Sequence, residues 1–198
     1  MNNINLIKRN ISNYDKKLLI IGVFHGDEPQ GEYFINSYLS CAKAPSKNLL
    51  YFIPRLNNSS KRTNKNDVDL NRNFPTKNWI KSDSGDYFGG VEPNSEIETK
   101  FLVDLLNENN FNAIITIHSP YKVINYDGPA EEISKEIQKF LGYKITNDIG
   151  YPTPGSFGTY CGVERKIPTV TIEIDEEEDL EELNLKFKKL FEFLENDY

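Results

Sequence analysis

The chain contains only two histidines, and each comes just after an apolar run. His25 follows residues 18–23, with Glu28 three positions later, and His118 follows residues 113–117. Imidazole nitrogens and carboxylate oxygens are typical zinc ligands, and three protein ligands leave a fourth position open for water, as in catalytic zinc sites. His25, Glu28 and His118 therefore predict a catalytic site for one zinc ion.

Glu173 is a carboxylate inside an otherwise apolar stretch, residues 169–174, with the sequence Thr-Val-Thr-Ile-Glu-Ile. Burying an ionised carboxylate is costly unless a cation or a metal site compensates its charge. The alternative is an edge strand that points Glu173 to solvent. A single His-x-x-Glu pair is a weak signal, and the presence of Glu173 strengthens the prediction of a metal site.

A further polar cluster, residues 69–75 with the sequence Asp-Leu-Asn-Arg-Asn-Phe-Pro, follows Arg62 along the chain. The planar guanidinium group of arginine pairs with a carboxylate through two parallel hydrogen bonds. An arginine and an asparagine near a metal ion therefore suit a substrate with a free carboxylate. An Asn-Arg-Asn loop is also typical of a solvated turn.

Apolar runs alternate with amphipathic segments along the chain. The runs, which predict buried strands, are residues 18–23, 49–53, 113–117 and 169–174. The helical spacing of apolar side chains predicts helices around residues 97–106, 133–141 and 183–194. Strands that alternate with helices indicate an α/β domain with a largely parallel sheet. The carboxyl ends of such strands meet along one edge, where we expect both histidines to lie.

The composition argues against several classes of partner. A formal net charge of -7 disfavours nucleic acid and anionic membranes, which are approached through clustered lysine and arginine. No apolar segment is long enough to span a bilayer, and residues 1–14 lack the apolar stretch of a secretory leader, so we expect a cytoplasmic protein. Cys41 and Cys161 lie far apart and form no C-x-x-C pair, which argues against a thiolate metal site.

Taken in order, these motifs resemble those of the carboxypeptidase A-like zinc carboxypeptidases, and within that family the small bacterial murein peptide amidase A group. The shared markers are His25-Gly-Asp-Glu28, Arg62-Thr-Asn, Asp69-Leu-Asn71-Arg72-Asn-Phe-Pro, His118-Ser, Tyr151-Pro-Thr-Pro-Gly-Ser and Thr171-Ile-Glu173. The resemblance implies one zinc peptidase or amidase domain over residues 1–198. Its fold would be a single α/β domain in which helices cover both faces of a mixed, largely parallel, twisted sheet.

The resemblance also implies a role for each catalytic marker. His25, Glu28 and His118 would bind the zinc ion. Glu173 would be the general base that activates water, and Arg62 would stabilise the oxyanion that forms on the attacked carbonyl.

The remaining markers would bind the substrate. The resemblance implies that Asn71 and Arg72 hold a terminal carboxylate and that Tyr151 is a mobile residue that closes over the substrate. Residues 155–160 would form a wall of the pocket for the leaving residue. The sequence indicates no residue for a second polar group on that leaving residue, because Phe157 and Gly158 are uncharged.

The implied activity is hydrolysis of a peptide or isopeptide amide next to a C-terminal residue with a free carboxylate. The expected substrate is a small cell-wall peptide, the murein tripeptide, which would be cut between γ-D-glutamate and meso-diaminopimelate. The sequence does not predict an oligomeric state.

Other functions stay open at this point. A general metallocarboxypeptidase would share the markers. The aspartoacylase and succinylglutamate desuccinylase group, which deacylates small N-acyl amino acids, tends to have Asp-Leu-His where this chain has Thr116-Ile-His118. A peptide-binding pseudoenzyme would have lost a ligand or the base, and the sequence retains His25, Glu28, His118 and Glu173.

Overall fold

A seven-stranded sheet forms the centre of the molecule in a computed structural model that describes residues 4–9, 13–43 and 47–198. Within these ranges the strands are β1 (Ile7–Arg9), β2 (Lys17–Ile21), β3 (Leu49–Ile53), β4 (Ala113–His118), β5 (Val123–Asp127), β6 (Lys144–Thr146) and β7 (Thr169–Glu173). Their order across the sheet is β1-β3-β2-β4-β7-β5-β6. Strands β3, β2, β4 and β7 are parallel, whereas β1, β5 and β6 run in the opposite direction.

Helices cover both faces of this sheet. They are α1 (Gln30–Cys41), α2 (Ile97–Glu108), α3 (Glu131–Leu141) and α4 (Leu180–Asn196) in the described part of the chain. Helices α1, α3 and α4 share one face, where the rings of Phe34 and Phe187 stack with their centroids 4.4 Å apart. Helix α2 covers the opposite face together with Phe74 and Phe157 from the loops.

The central strands are buried on both sides, which explains why their sequences are continuous apolar runs. Along β2, Leu18 and Ile20 enter the core beneath α1 and α4, whereas Leu19 and Ile21 enter the core beneath α2. Side chains of a strand alternate between the faces of the sheet, so a single run of aliphatic residues supplies both cores.

The predicted fold class is confirmed, and the predicted central strands agree with the structure to within two residues at each end. The three predicted helices correspond to α2, α3 and α4. The sequence patterns did not predict α1, β1, β5 and β6. Strands β1 and β6 are only three residues long, and β5 carries the polar side chains Asn125 and Asp127, so these segments lack the apolar pattern that identifies the central strands.

The assignment of residues 1–198 to one zinc peptidase domain stays a prediction. Among the described residues, no helix combines the length and the apolar character needed to cross a membrane. The cytoplasmic location also stays a prediction, and part of the segment on which it depends, residues 1–14, lies outside the described residues.

Gly22 and Gly31 form a close backbone contact that fixes both ends of the segment carrying His25 and Glu28. A Cβ atom on Gly31 would overlap the carbonyl oxygen of Gly22. On its other side, the Gly22 amide donates a hydrogen bond of 2.9 Å to the carbonyl of Ile53 at the end of β3. The absence of side chains at both glycines therefore lets α1 begin directly against the end of β2.

We expect Gly31→Ala to destabilise the protein by about 1–3 kcal/mol, the usual cost of overpacking. Alanine has a higher helix propensity than glycine, so a loss of stability at this position in α1 would be due to the contact with Gly22. Urea denaturation of both proteins measures the change. The control is Asn36→Ala, an exposed position in the same helix, which should leave stability unchanged or slightly higher. Equal stabilities of Gly31→Ala and the parent would contradict the proposed contact.

Candidate active site

The predicted site residues reach one edge of the sheet because the strands that precede them are parallel. His118 is the last residue of β4, and Glu173 is the last residue of β7 and its direct neighbour in the strand register. His25 lies in the loop that follows β2, the neighbour of β4 on the other side. The ends of three adjacent strands therefore bring His25, His118 and Glu173 together.

His25, Glu28 and His118 form a buried cluster of donor atoms. Glu28 Oε1 lies 2.8 Å from His25 Nδ1, and Glu28 Oε2 lies 3.0 Å from His118 Nδ1. The two Nδ1 atoms are 3.3 Å apart. A tetrahedral zinc ion with bonds of about 2.0–2.1 Å separates its ligand atoms by roughly 3.3 Å. The spacing and the chemistry of the three donors therefore fit a zinc ion.

The close contacts within the cluster and the burial of its residues shift the pKa values of all three. Burial acts to raise the pKa of Glu28, but hydrogen bonds from His118 and His25 outweigh burial and hold that pKa well below its usual range. For His25 burial acts in the other direction and lowers the pKa. The hydrogen bonds and negative charges of Asp69 and Glu28 outweigh burial and raise that pKa to about 9. For His118 burial prevails and lowers the pKa. The neutral imidazole of His118 and the ionised carboxylate of Glu28 are the forms in which these groups bind metals. His25 would release a proton when a metal ion binds.

Asp69 orients His25, a role that was not predicted from the sequence. Its fully buried carboxylate has Oδ1 at 3.2 Å from His25 Nε2. Its Oδ2 accepts a hydrogen bond of 3.1 Å from Arg62 Nη2. A carboxylate behind a histidine fixes the tautomer and the ring orientation of a metal ligand. The sequence contained the signal, since Asp69 begins the marker Asp-Leu-Asn-Arg, but not the contact.

Glu173 is buried on the wall of the cleft, as its position in an apolar strand predicts, with 6% of its surface exposed. Its Oε2 atom is buried and has no hydrogen-bond partner among the described residues. Burial, assisted by the negative charge of Glu28, raises the pKa of Glu173 to about 8. The edge-strand alternative is therefore wrong, because β7 lies between β4 and β5.

The predicted substrate-binding residues lie beside this cluster. Arg72 is buried, and its Nη1 donates to the Asn71 carbonyl at 2.7 Å. The Asn71 side chain is fixed by the Phe157 amide, which donates to Oδ1 at 2.9 Å. Tyr87, which has no predicted role, lies under Arg72 and also under Arg62, whose guanidinium carbon is 4.9 Å from the ring centroid.

Tyr151 lies at the mouth of the cleft and is 41% exposed. Its ring meets that of Tyr121 edge-on, with centroids 6.5 Å apart. A single cavity of about 220 Å³ is lined by all the predicted site residues, namely His25, Glu28, Arg62, Asn71, Arg72, His118, Tyr151 and Glu173. Residues separated by up to 148 positions in the sequence thus share one open cleft.

Comparisons with known proteins agree with this geometry. The family model described as zinc carboxypeptidase matches residues 52–138. Murein peptide amidase A of Vibrio campbellii is 31% identical, over 79% of this chain and 68% of that protein. Murein peptide amidase A of Escherichia coli K12 is 31% identical over 50% of this chain, and the match spans 46% of that protein.

Solved structures share the fold. The crystal structure of the murein-tripeptide amidase from Escherichia coli O157 superposes with a TM-score of 0.81 at 24% identity, covering 94% of this chain and 83% of that one. Carboxypeptidase A from Helicoverpa armigera superposes with a TM-score of 0.72 at 15% identity, covering 91% and 59%. The relative from Vibrio campbellii, 31% identical and matched over 68% of its length, together with the family model, shows that the chain belongs to the zinc carboxypeptidase family.

Proposed function

We propose that this protein is a zinc-dependent amidase that hydrolyses the bond between γ-D-glutamate and meso-diaminopimelate in a murein tripeptide. The observation that carries the proposal is that one cavity is lined by the three-donor cluster, by Arg72 and by the buried Glu173, whose Oε2 has no hydrogen-bond partner among the described residues. The murein peptide amidases among the relatives support the choice of substrate.

In this proposal His25, Glu28 and His118 bind one zinc ion, since they are the group of potential ligands found in the described residues. A zinc ion at such a site supplies Lewis acidity, which polarises a carbonyl and acidifies a neighbouring water molecule. Asp69 keeps His25 in the orientation for binding.

Glu173 acts as the proton carrier. Its free Oε2 atom accepts a proton from the attacking water, and the same carboxyl group then donates that proton to the nitrogen of the leaving amine. Burial raises the pKa of Glu173 to about 8, which favours the proton-bearing form between these two transfers. The positive charge of a bound zinc ion would favour the ionised form that accepts the proton.

Arg62 and Arg72 supply positive charge at separate positions. Arg62 lies next to the cluster, with Nη1 3.8 Å from Glu28 Oε1, and stabilises the oxyanion. Arg72 and Asn71 bind the terminal carboxylate of the leaving residue, and Tyr151 covers the bound substrate.

The alternatives differ from this proposal in substrate or in chemistry. A general metallocarboxypeptidase would use the same residues on ordinary C-terminal amino acids, and the tests below separate the two. The complete donor set and the buried base argue against a peptide-binding pseudoenzyme. No feature of the cleft favours a deacylase of small N-acyl amino acids.

The zinc-loaded protein should release free diaminopimelate from L-alanyl-γ-D-glutamyl-meso-diaminopimelate. Glu173→Gln should bind zinc normally but lose about 100-fold or more of the turnover, as expected when a general base is removed. Amino-acid analysis measures release, and the exposed Glu177→Gln is the control. An active Glu173→Gln enzyme would refute the base. Absence of diaminopimelate release alongside cleavage of ordinary C-terminal residues would favour the general carboxypeptidase.

Substitutions in the donor cluster should act in a graded way on zinc content. Glu28→Gln should abolish stoichiometric zinc binding, because the carboxylate supplies a ligand. Asp69→Asn should weaken binding by about 10–100-fold, the usual effect of removing the partner of a histidine ligand. Competition with a chromogenic chelator gives the affinities. The control is Asp67→Asn, which removes an exposed carboxylate that pairs with exposed Lys61. Full zinc affinity in Glu28→Gln would exclude the proposed ligand set.

Substitution of Arg72 tests the binding of the terminal carboxylate. Arg72→Gln should lower kcat/KM by about 30-fold or more, because a buried carboxylate would lose its charged partner. Arg72→Lys keeps the charge but not the two parallel hydrogen bonds, so we expect an intermediate value. Arg55→Gln, which breaks a pair with Glu32 outside the cavity, controls for the loss of a cation. Unchanged kinetics in Arg72→Gln would rule out this role.

A further inference from the structure

Asp127, the last residue of β5, has a carboxylate in the active-site cavity with no role in the steps above. In the described part of the chain it has one side-chain hydrogen bond, a long one of 3.5 Å from Asn125 Nδ2. Burial alone raises the pKa of Asp127 to about 6, which leaves it largely ionised near neutral pH. A partly buried anion without a cation is unfavourable by itself, so this carboxylate is available to a charged ligand.

The register of β5 on β7 fixes where Asp127 lies relative to Glu173. Glu173 is opposite Val123, Thr171 is opposite Asn125, and Thr169 is opposite Asp127. Directly opposed residues of an antiparallel pair, and residues two apart on one strand, share a face of the sheet. Asn125 and Asp127 therefore lie on the same face as Glu173 and lead away from it along the sheet.

The separation along this line matches a long substrate side chain. Asp127 is four residues further along β5 than Val123, which corresponds to about 13 Å at roughly 3.3 Å per residue. Asn125 and Thr171 line the cavity between the two acids. Only a leaving residue with an extended side chain can place one end at Glu173 and the other at Asp127.

Two glycines pack against the side chain of Asp127. Gly158 lies just before the π-helical turn Thr159–Glu164, and Gly162 lies within it. Both pack so closely that a Cβ atom on either would overlap the side chain of Asp127. A second acceptor lies beside it, since Asn125 Oδ1 is buried and has no hydrogen-bond partner within the described ranges. The carboxylate and this amide oxygen thus form a site for a group that donates several hydrogen bonds.

We propose that Asp127, together with Asn125, binds a cationic amino group on the side chain of the residue released by the reaction. This inference rests on the proposed function and specifies its leaving group. Arg72 pairs with the α-carboxylate of that residue, and Asp127 pairs with an ammonium group at the far end of its side chain. The ligand is therefore a long diamino acid, and the second amino-acid head of diaminopimelate carries such an ammonium.

Matched substrates separate the ammonium from the other groups. We would compare L-alanyl-γ-D-glutamyl peptides that end in meso-diaminopimelate, L-lysine or L-norleucine. Lysine and norleucine have side chains of similar length and differ in the ammonium, whereas diaminopimelate adds a carboxylate. The parent enzyme should cleave the diaminopimelate and lysine peptides with kcat/KM about 30-fold or more above the norleucine peptide, the usual effect of a buried charge pair.

The variant Asp127→Asn removes the charge with little change of shape. It should lose this preference, with kcat/KM falling about 30-fold or more for the two ammonium-bearing peptides and changing little for the norleucine peptide. Retained cleavage of the norleucine peptide and normal zinc content show that the variant is folded. The control is Asp104→Asn, an exposed aspartate on α2. An unchanged order of substrates in Asp127→Asn would overturn the inference and leave the proposed amidase activity intact.

A failure of the proposed function gives a different result. If no γ-glutamyl peptide is cleaved, the same three residues are tested at the end of N-acylated α-peptides, and their free forms are titrated into the protein by calorimetry. Tighter binding of lysine than of norleucine to the parent protein, lost in Asp127→Asn, would support the inference without the amidase. Equal binding of lysine and norleucine to the parent would overturn it.

Discussion

Parallel pairing of β2, β4 and β7 is the constraint on which the site depends, because it ends these strands side by side at one edge of the sheet. His118 and Glu173 are neighbours in that register, and the loop after β2 brings His25 beside them. The contact between Gly22 and Gly31 then lets α1 begin close to β2 and holds Glu28 between the two imidazoles. The donor cluster is therefore a consequence of strand order.

Burial gives the polar groups of the cleft their chemical properties. The carboxylate of Glu28 stays ionised at low pH because two imidazoles donate to it, whereas the pKa of Glu173 is raised because it has no such partners. Two acids in one cavity thus differ in protonation through their surroundings alone. Such a division suits a ligand and a proton carrier respectively, which is the assignment we propose.

Strand β5 determines the shape of the cavity beyond the donor cluster. It runs antiparallel to β7, so its side chains continue the face on which Glu173 lies and lead away from the sheet edge. The glycines at 158 and 162 allow the π-helical turn to approach this strand closely. The cavity is therefore lined by two cationic groups, Arg62 and Arg72, and by the anionic Asp127, which lies four residues along β5 from the partner of Glu173.

The sequence by itself determined the central strands, three of the helices and eight of the residues that line the cleft. Continuous apolar runs identify strands buried on both faces. His25, Glu28 and His118 stand out because few residue types bind zinc, and Glu173 stands out because an ionised carboxylate is costly inside a buried strand. Only the tertiary structure decided which residues support or extend this set. The contact of Asp69 with His25 and the position of Asp127 in the cavity depend on strand order and on the antiparallel register of β5. Neither leaves a periodic pattern in the sequence, because an aspartate in a loop or at the end of a short polar strand has the same local sequence whether its side chain faces solvent, a histidine or a substrate.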